Sequence, residues 1–117
     1  MTQENDCLFC RIARGEIPAA VVHKEGGVTA FRDIAPQAPT HILIIPDQHI
    51  SGVATVGQDD EPVVGRLLRV AGELARQEGI ENSGYRLIIN QGKDAGQSVP
   101  HIHVHLLGGR PLPLPLV

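Results

Sequence analysis

Apolar residues recur between residues 59 and 79 at the spacing of an amphipathic helix. Asp60, Glu61 and Pro62 are typical of a helix start, and Gly79 is typical of a helix end. The residues that follow the i, i+3, i+4 pattern are Val63, Val64, Leu67, Leu68, Ala71, Leu74 and Ala75. The pattern therefore predicts one long helix over residues 59–79.

Five shorter runs are rich in the apolar and β-branched residues of strands. Gly26-Gly27 separates the first two runs, and this pair readily supplies the positive φ angles of a two-residue hairpin turn. The segment Asp33–Thr40 contains two prolines and predicts a loop that could line a site. The predicted strands are Val21–Glu25, Val28–Arg32, His41–Pro46, Tyr85–Asn90 and His101–Leu107. Together with the long helix, they predict an α+β domain.

The two ends of the chain follow different patterns. Leu8, Phe9 and Ile12 are spaced as one face of a short helix, which Gly15 should end. The last residues alternate proline with apolar residues, a composition that favours an extended segment. We expect one domain over residues 1–110, followed by a Pro/Leu-rich tail over residues 111–117.

Composition narrows the class of protein. A chain of 117 residues with 42% hydrophobic residues fits one compact domain with a core of its own. The net charge is −3 and the basic residues are scattered, so the footprint of a nucleic-acid-binding protein is missing. The longest aliphatic run, Ile42–Ile45, is far too short to cross a bilayer. We expect a soluble cytoplasmic protein without nucleic-acid or membrane partners.

Three of the six histidines fall within five residues, at positions 101, 103 and 105. Residues two apart in a strand point to the same side, about 6.5–7 Å from each other. The spacing therefore predicts that the three imidazoles share one face of the last strand, while Ile102 and Val104 face the core. A polar strand face without chemistry is the plain alternative.

The loop before these histidines has the composition of a phosphate-binding loop. Residues 92–98 contain two glycines and Ser98, which can turn backbone N–H groups and a hydroxyl toward one point. Composition alone leaves an ordinary connecting loop as the alternative.

Cys7 and Cys10 are the only cysteines, and they lie three residues apart. This spacing fits half of a zinc site, a redox pair or two buried thiols. A zinc site would need two further ligands from elsewhere in the chain.

The motif around the histidines resembles the histidine triad (HIT) family, in its Hint branch of purine nucleoside phosphoramidase-like proteins. The matching segments are Asn90, Ala95–Val99, His101–His105, Phe31–His41, Gly84–Arg86 and Leu107–Arg110. The resemblance implies a five-stranded antiparallel sheet with one long helix and a short N-terminal helix. It also implies a homodimer with a continuous sheet, for which an apolar stripe of Val63, Val64, Val70 and Ala71 offers mild support. The chain departs from the pattern at its Pro/Leu-rich end, where those proteins often carry a tryptophan.

The resemblance implies a nucleotide hydrolase. The substrates would be purine nucleoside 5′-phosphoramidates or aminoacyl-adenylates, with AMP- or GMP-type nucleotides, cleaved at the P–N or a related bond. His103 would attack phosphorus and form a nucleotidyl-histidine that water hydrolyses. His105 and Ser98 would contact the phosphate oxygens and the leaving group. His41 and the local backbone would orient His103.

The resemblance also implies where the nucleotide lies. Asp33 would bind the ribose hydroxyls. The base pocket would consist of Leu8, Phe9, Ile12, Phe31, Ile34 and Leu43, for which plain core packing is the alternative. The residues around the phosphate would be Asn90, Gly96, Gln97, Ser98, Val99 and His105.

For the cysteines, the resemblance implies a structural zinc site completed by His49 and His101, with no cofactor needed for the chemistry. His23 fits none of these roles. One rival hypothesis is a metallohydrolase with catalytic zinc on His101, His103 and perhaps His41. Another is a nucleotide-binding interaction module with slow or no turnover.

Overall fold

The computed structural model describes residues 7–113 and contains one five-stranded sheet. The strands are β1 (Val21–Glu25), β2 (Val28–Arg32), β3 (Thr40–Pro46), β4 (Tyr85–Ile88) and β5 (Val104–Gly108). The helices are α1 (Leu8–Ala13) and α2 (Glu61–Gln77), with short 3₁₀ turns at Val53–Thr55, Gln58–Asp60 and Lys93–Ala95. The strand order is β1-β2-β3-β5-β4, and all neighbours are antiparallel. The predicted fold class is confirmed.

Helix α2 covers one face of the sheet and forms the main core. Its buried residues Leu67, Val70 and Leu74 pack with apolar residues of β2, β3 and β5. Val70 and Ala71 are fully buried. These two residues of the apolar stripe therefore give no support to a dimer, because the monomer's own core buries them.

Helix α1 covers part of the opposite face of the sheet, which we call the α1 face. Its buried residues Phe9, Cys10 and Ile12 pack against Phe31 of β2 and Leu43 of β3. This second cluster leaves the β5–β4 half of the α1 face uncovered by the helix. The candidate site lies along this face.

Strand β5 begins at Val104, three residues later than predicted. Pro100 has no N–H to donate, and the N–H of Ile102 donates to the Ile50 carbonyl in a loop at 2.6 Å. His101 and His103 therefore precede the strand, and only His105 lies in it. Strand β4 pairs with β5 alone and ends at Ile88, where this pairing stops, rather than at Asn90.

Two predictions extend beyond the described residues. Positions 1–6 of the expected 1–110 domain and positions 114–117 of the expected tail lie outside them. Within residues 7–113, no helix is both long enough and apolar enough to span a bilayer.

Candidate active site and metal centre

His103 is held by the backbone just before β5. Its Nδ1 lies 2.8 Å from the carbonyl oxygen of His101. Because a carbonyl can only accept, Nδ1 carries the hydrogen and Nε2 keeps its lone pair. The ring packs edge-to-face against Phe9 and against His105, with ring centroids 5.1 Å apart in both pairs. The nitrogen available as a nucleophile is therefore Nε2.

A chain of hydrogen bonds sets the tautomer of His105. The backbone N–H of Gln37 donates to Nδ1 of His41 at 3.1 Å, so the hydrogen of neutral His41 is on Nε2. This Nε2–H donates to Nδ1 of His105 at 3.0 Å. His105 in turn carries its hydrogen on Nε2. The expected role of His41 in orienting His103 is not what the geometry provides, because His41 contacts His105 instead.

Two histidines of the site, His41 and His105, are neutral around pH 7. Burial lowers the pKa of His105 to about 4, and the neighbouring His103 and His41 add to this effect. Burial also lowers the pKa of His41, against the opposing pull of the Asp33 carboxylate. Both imidazoles can therefore keep the single-hydrogen tautomers that the hydrogen-bond chain requires.

Acid should destabilise the fold through these histidines. An unfolded histidine has a pKa of about 6.5, so between pH 6.5 and 4 the unfolded chain binds a proton that folded His105 excludes. This proton uptake leaves the free energy of unfolding unchanged above about pH 6.5 and lowers it as pH falls from 6.5 toward 4. We expect His105 to account for about 2 kcal/mol of this decrease. Urea unfolding of wild type and His105→Gln at pH 7.5 and 4.5 measures it, and equal pH dependence of the two proteins would contradict the assignment.

An apolar pocket of about 200 Å³ lies between α1 and strands β2 and β3. It brings together every residue expected to bind the base and ribose, namely Leu8, Phe9, Ile12, Phe31, Asp33, Ile34 and Leu43. Ile34 lies at the rim and is fully exposed. Ile17, Pro18 and Ala19 also line the pocket. These three residues were not expected in the pocket, because they follow the predicted end of the short helix at Gly15 and carry no group with recognisable chemistry.

Asp33 links this pocket to the histidines. One carboxylate oxygen, Oδ1, accepts from the backbone N–H of Ala35 at 2.8 Å. The other, Oδ2, lies 3.5 Å from Nε2 of His41. The Ala35 bond fixes the rotamer of Asp33 at the end of β2, with the carboxylate between the pocket and the histidine pair.

The loop over residues 92–98 is held together largely by its own groups. Gln97 accepts from the N–H of Gly92 at 2.7 Å and donates to the carbonyls of Ser51 and Val99. The N–H groups of Ala95, Gly96 and Gln97 donate to carbonyls within the loop. The Gln97 side chain therefore shapes the loop instead of pointing to a ligand. Ser98 is exposed, and Val99 packs against the α1 cluster.

A larger cavity of about 390 Å³, here called the Arg86 cavity, opens over β5 and β4. The expected site residues His41, Asn90 and His105 line it. The other lining residues had no role in the site predicted from the sequence, and they are Gln37, Arg86, Ile88, Leu107, Arg110, Leu112 and Pro113. Arg86 and Arg110 had been noted only as parts of family-like segments. His103 touches Phe9 of the base pocket and His105 of this cavity, so it lies between the two.

Cys7, Cys10, His49 and His101 form a compact group of possible metal ligands. Nδ1 of His101 lies 3.4 Å from the Cys7 sulfur and 3.5 Å from that of Cys10, and Nδ1 of His49 lies 3.2 Å from the Cys10 sulfur. Ligands on one tetrahedral zinc, at about 2.3 Å for sulfur and 2.0 Å for nitrogen, lie about 3.5 Å apart. The four residues therefore fit a zinc ion.

The tautomer of His101 agrees with a metal ligand. Its Nε2–H donates to the Pro46 carbonyl at 2.8 Å, which leaves the Nδ1 lone pair facing the two thiols. Burial lowers the pKa of His101 to about 4, so the ring is neutral as ligation requires. Both cysteines are buried, and they are not joined in a disulfide. These facts favour the metal-site reading of the Cys-x-x-Cys motif.

The rival set of catalytic zinc ligands is not assembled. His101 faces the thiols, whereas His103 Nδ1 is bonded to a carbonyl and His41 lies beside His105. Asp33, His41 and His105 do lie close together. However, the hydrogen that His41 carries on Nε2 occupies the position from which it would bind an ion there. The metallohydrolase hypothesis is therefore wrong in its choice of ligands.

Comparison with known proteins agrees with this geometry. Residues 14–112 match the model of the HIT domain family. The chain belongs to the HIT family. It is 54% identical over 107 residues to the purine nucleoside phosphoramidase of Escherichia coli K12, covering 92% of this chain and 90% of that protein. An uncharacterised HIT-like protein of Synechococcus elongatus is 46% identical, with 94% and 96% covered.

Solved structures of other HIT proteins share the fold. A HIT family hydrolase from Legionella pneumophila has a TM-score of 0.91 at 52% identity, with 93% of this chain and 97% of that chain covered. A HIT family hydrolase from Clostridium thermocellum has a TM-score of 0.92 at 40% identity, with 99% and 100% covered. The likeness therefore extends over nearly the whole HIT domain.

Proposed function

We propose that this HIT protein hydrolyses the P–N bond of purine nucleoside 5′-phosphoramidates through a nucleotidyl-His103 intermediate. The observation that carries the proposal is the His103 tautomer, with an unprotonated Nε2 between the base pocket and the Arg86 cavity. A nucleotide in the base pocket would bring its phosphate toward this nitrogen. The name of the E. coli relative, purine nucleoside phosphoramidase, supports the same reaction.

In the first step, Nε2 of His103 forms a bond to phosphorus while the bond from phosphorus to the amine breaks. The Nδ1–H of His103 stays on the ring, and its bond to the His101 carbonyl stabilises the positive charge of the phosphorylated imidazole. As the P–N bond breaks, the departing amine takes up a proton from solvent. In the second step, a water oxygen replaces Nε2 of His103 on phosphorus and one proton returns to solvent, so the net reaction consumes one water.

His105 would stabilise the charge that develops on the phosphate oxygens. Its Nε2–H is oriented in advance by the Gln37–His41–His105 chain, so little reorganisation is needed during the reaction. Ser98 and Asn90 are the other polar side chains proposed near the phosphate. Asp33 would accept hydrogen bonds from the ribose hydroxyls, and the apolar pocket would hold the purine.

We assign zinc as the ion of the Cys7–Cys10–His49–His101 centre. Two thiolates and two imidazoles are a common donor set for closed structural zinc sites. The role of the ion would be to hold α1 against the sheet. None of its four ligands is proposed to contact the substrate.

Mass spectrometry with a nucleotide substrate tests the function directly. Wild type should turn over adenosine 5′-phosphoramidate and adenylated lysine in the steady state. Quenching without acid should trap a P–N adduct whose mass corresponds to one adenylyl group on the peptide that contains His103. Tight binding of AMP without turnover or adduct would identify a nucleotide-binding module instead of an enzyme.

We also propose that two copies pair through β4. This strand is at the edge of the sheet, and Tyr85, Leu87 and Ile89 on or beside it are each more than a third exposed. Leu68 of α2 is exposed as well. A second copy would pair with the open backbone edge and cover these apolar side chains.

Leu87→Asp should therefore convert the dimer into a monomer, because the new carboxylate would be buried without a partner. Val21→Asp is the matched control, since Val21 is also an exposed apolar residue but lies on β1 at the opposite edge. Sedimentation equilibrium at micromolar protein measures the mass. A monomeric wild type, or a dimeric Leu87→Asp variant, would contradict the proposed interface.

A further inference from the structure

The Arg86 cavity lies next to the base pocket along the α1 face. Leu43 of β3 is directly opposite His105 of β5, and Arg86 of β4 is directly opposite Leu107 of β5. Opposite residues of an antiparallel pair point to the same face. The base pocket and the Arg86 cavity therefore share one face, with the histidines between them. A substrate with its nucleoside in the base pocket would direct its leaving group into the Arg86 cavity.

The Arg86 cavity has a positive lining. Arg86 and Arg110 are among the described residues that line it, and none of those residues carries a carboxylate. Arg110 donates to the backbone carbonyls of Gln37 and Pro111, at 2.7 and 3.1 Å, so its charge is positioned without being neutralised. The apolar walls are Ile88, Leu107, Leu112 and Pro113, and the other polar lining residues are Gln37, His41, Asn90 and His105.

Arg86 differs from the other arginines of the chain. Within residues 7–113 its guanidinium has neither a hydrogen bond nor an ion pair, although the residue is partly buried. The other arginines have carboxylate or carbonyl partners, and they are Arg11, Arg14, Arg32, Arg66, Arg69, Arg76 and Arg110. A partly buried cation without a partner loses hydration without gaining a compensating contact. An anionic ligand in the cavity would supply that contact.

We propose that the Arg86 cavity binds the leaving group and that Arg86 selects amines that carry a carboxylate, such as amino acids joined to phosphorus through their nitrogen. A planar guanidinium can bind a carboxylate through two parallel hydrogen bonds. The apolar walls would accommodate an aliphatic side chain. This inference rests on the proposed function and names its leaving-group class.

The test compares two adenosine 5′-phosphoramidates, one linked to the nitrogen of leucine and one to that of leucinamide. They differ in the carboxylate alone. Wild type should show a kcat/KM at least about tenfold higher for the leucine compound, as a charge-assisted bidentate contact would give. Arg86→Gln should bring the ratio close to one, and Arg86→Lys should give an intermediate ratio. Arg69→Gln on the exposed side of α2 is the control and should keep the wild-type ratio.

The outcomes separate this inference from the proposed function. Turnover of both compounds with a ratio near one in wild type, or an unchanged ratio in Arg86→Gln, would overturn the role of Arg86 while the phosphoramidase function stands. No turnover of either compound or of unsubstituted adenosine 5′-phosphoramidate would overturn both. A third substrate with a phosphonate in place of the carboxylate identifies the anion, because faster cleavage of it would contradict the choice of carboxylate.

Discussion

Replacing His103 with alanine or asparagine should lower kcat by at least about 1,000-fold. No other described nitrogen combines an unprotonated lone pair with this position between the base pocket and the Arg86 cavity. In His105, the nitrogen without hydrogen already accepts from His41, and in His101 it faces the thiols. Asparagine keeps a side chain that can donate to the His101 carbonyl but has no nucleophilic nitrogen. Steady-state assays with adenosine 5′-phosphoramidate measure the effect.

Two comparisons make the His103 experiment specific. His105→Asn should cost about 100-fold in kcat, the usual effect of losing one donor to developing charge, and should still form the adduct. His23→Asn, which changes a histidine of β1 outside the site, should behave as wild type. Thermal melting of each variant shows whether it is folded. Near-normal turnover by either folded His103 variant would rule out the histidine as the nucleophile.

The local elements of the fold could be predicted from the sequence, because they depend on short-range patterns. The Gly26-Gly27 turn and the two strands that flank it occur as expected, with both glycines at positive φ. The start of β5 could not be predicted, since it depends on a long-range bond from Ile102 to Ile50. Of the three histidines, only His105 lies in the strand and follows the predicted alternation. For the other two, loop contacts determine the orientation of the ring.

Residue types were sufficient to indicate the chemistry of the site but not its hydrogen-bond directions. The tautomers of His41 and His105 depend on one backbone N–H, that of Gln37, and no pattern in the sequence marks it. Arg86 was likewise unassigned, because its significance depends on the absence of a carboxylate from the described residues that line its cavity. Such features arise from contacts between distant segments, whereas the Cys-x-x-Cys spacing is a local signal.

His101 lies between the candidate metal centre and His103, the proposed nucleophile. Its ring nitrogens face the thiols and the Pro46 carbonyl, and its own carbonyl accepts from His103. Phe9, between the two cysteines in the sequence, packs against both His101 and His103 and also lines the base pocket. A metal ion held by these residues would therefore support the position of His103 and one wall of the proposed nucleotide site without supplying a group for the reaction.

Removing the metal should lower the melting temperature by about 10 °C or more, because several kcal/mol of folding free energy are expected from a closed Cys₂His₂ zinc site. Cys10→Ser should have the same effect, since the Cys10 sulfur lies near both histidine ligands. Below the melting temperature, the folded protein should keep most of its kcat. Its KM should rise, because a less firmly held α1 forms a poorer wall of the base pocket.

The comparison between chelation and mutation makes this result specific to the centre. A chelator should lower the melting temperature of wild type but have little further effect on Cys10→Ser, which already lacks the full ligand set. Calorimetry of both proteins, with bound zinc quantified before and after chelation, measures this difference. Equal melting of zinc-loaded and zinc-free wild type would contradict a structural role. Complete loss of kcat in zinc-free protein that is still folded would also contradict a purely structural role, because an ion that only supports the positions of α1, His101 and His103 should leave His103 able to react.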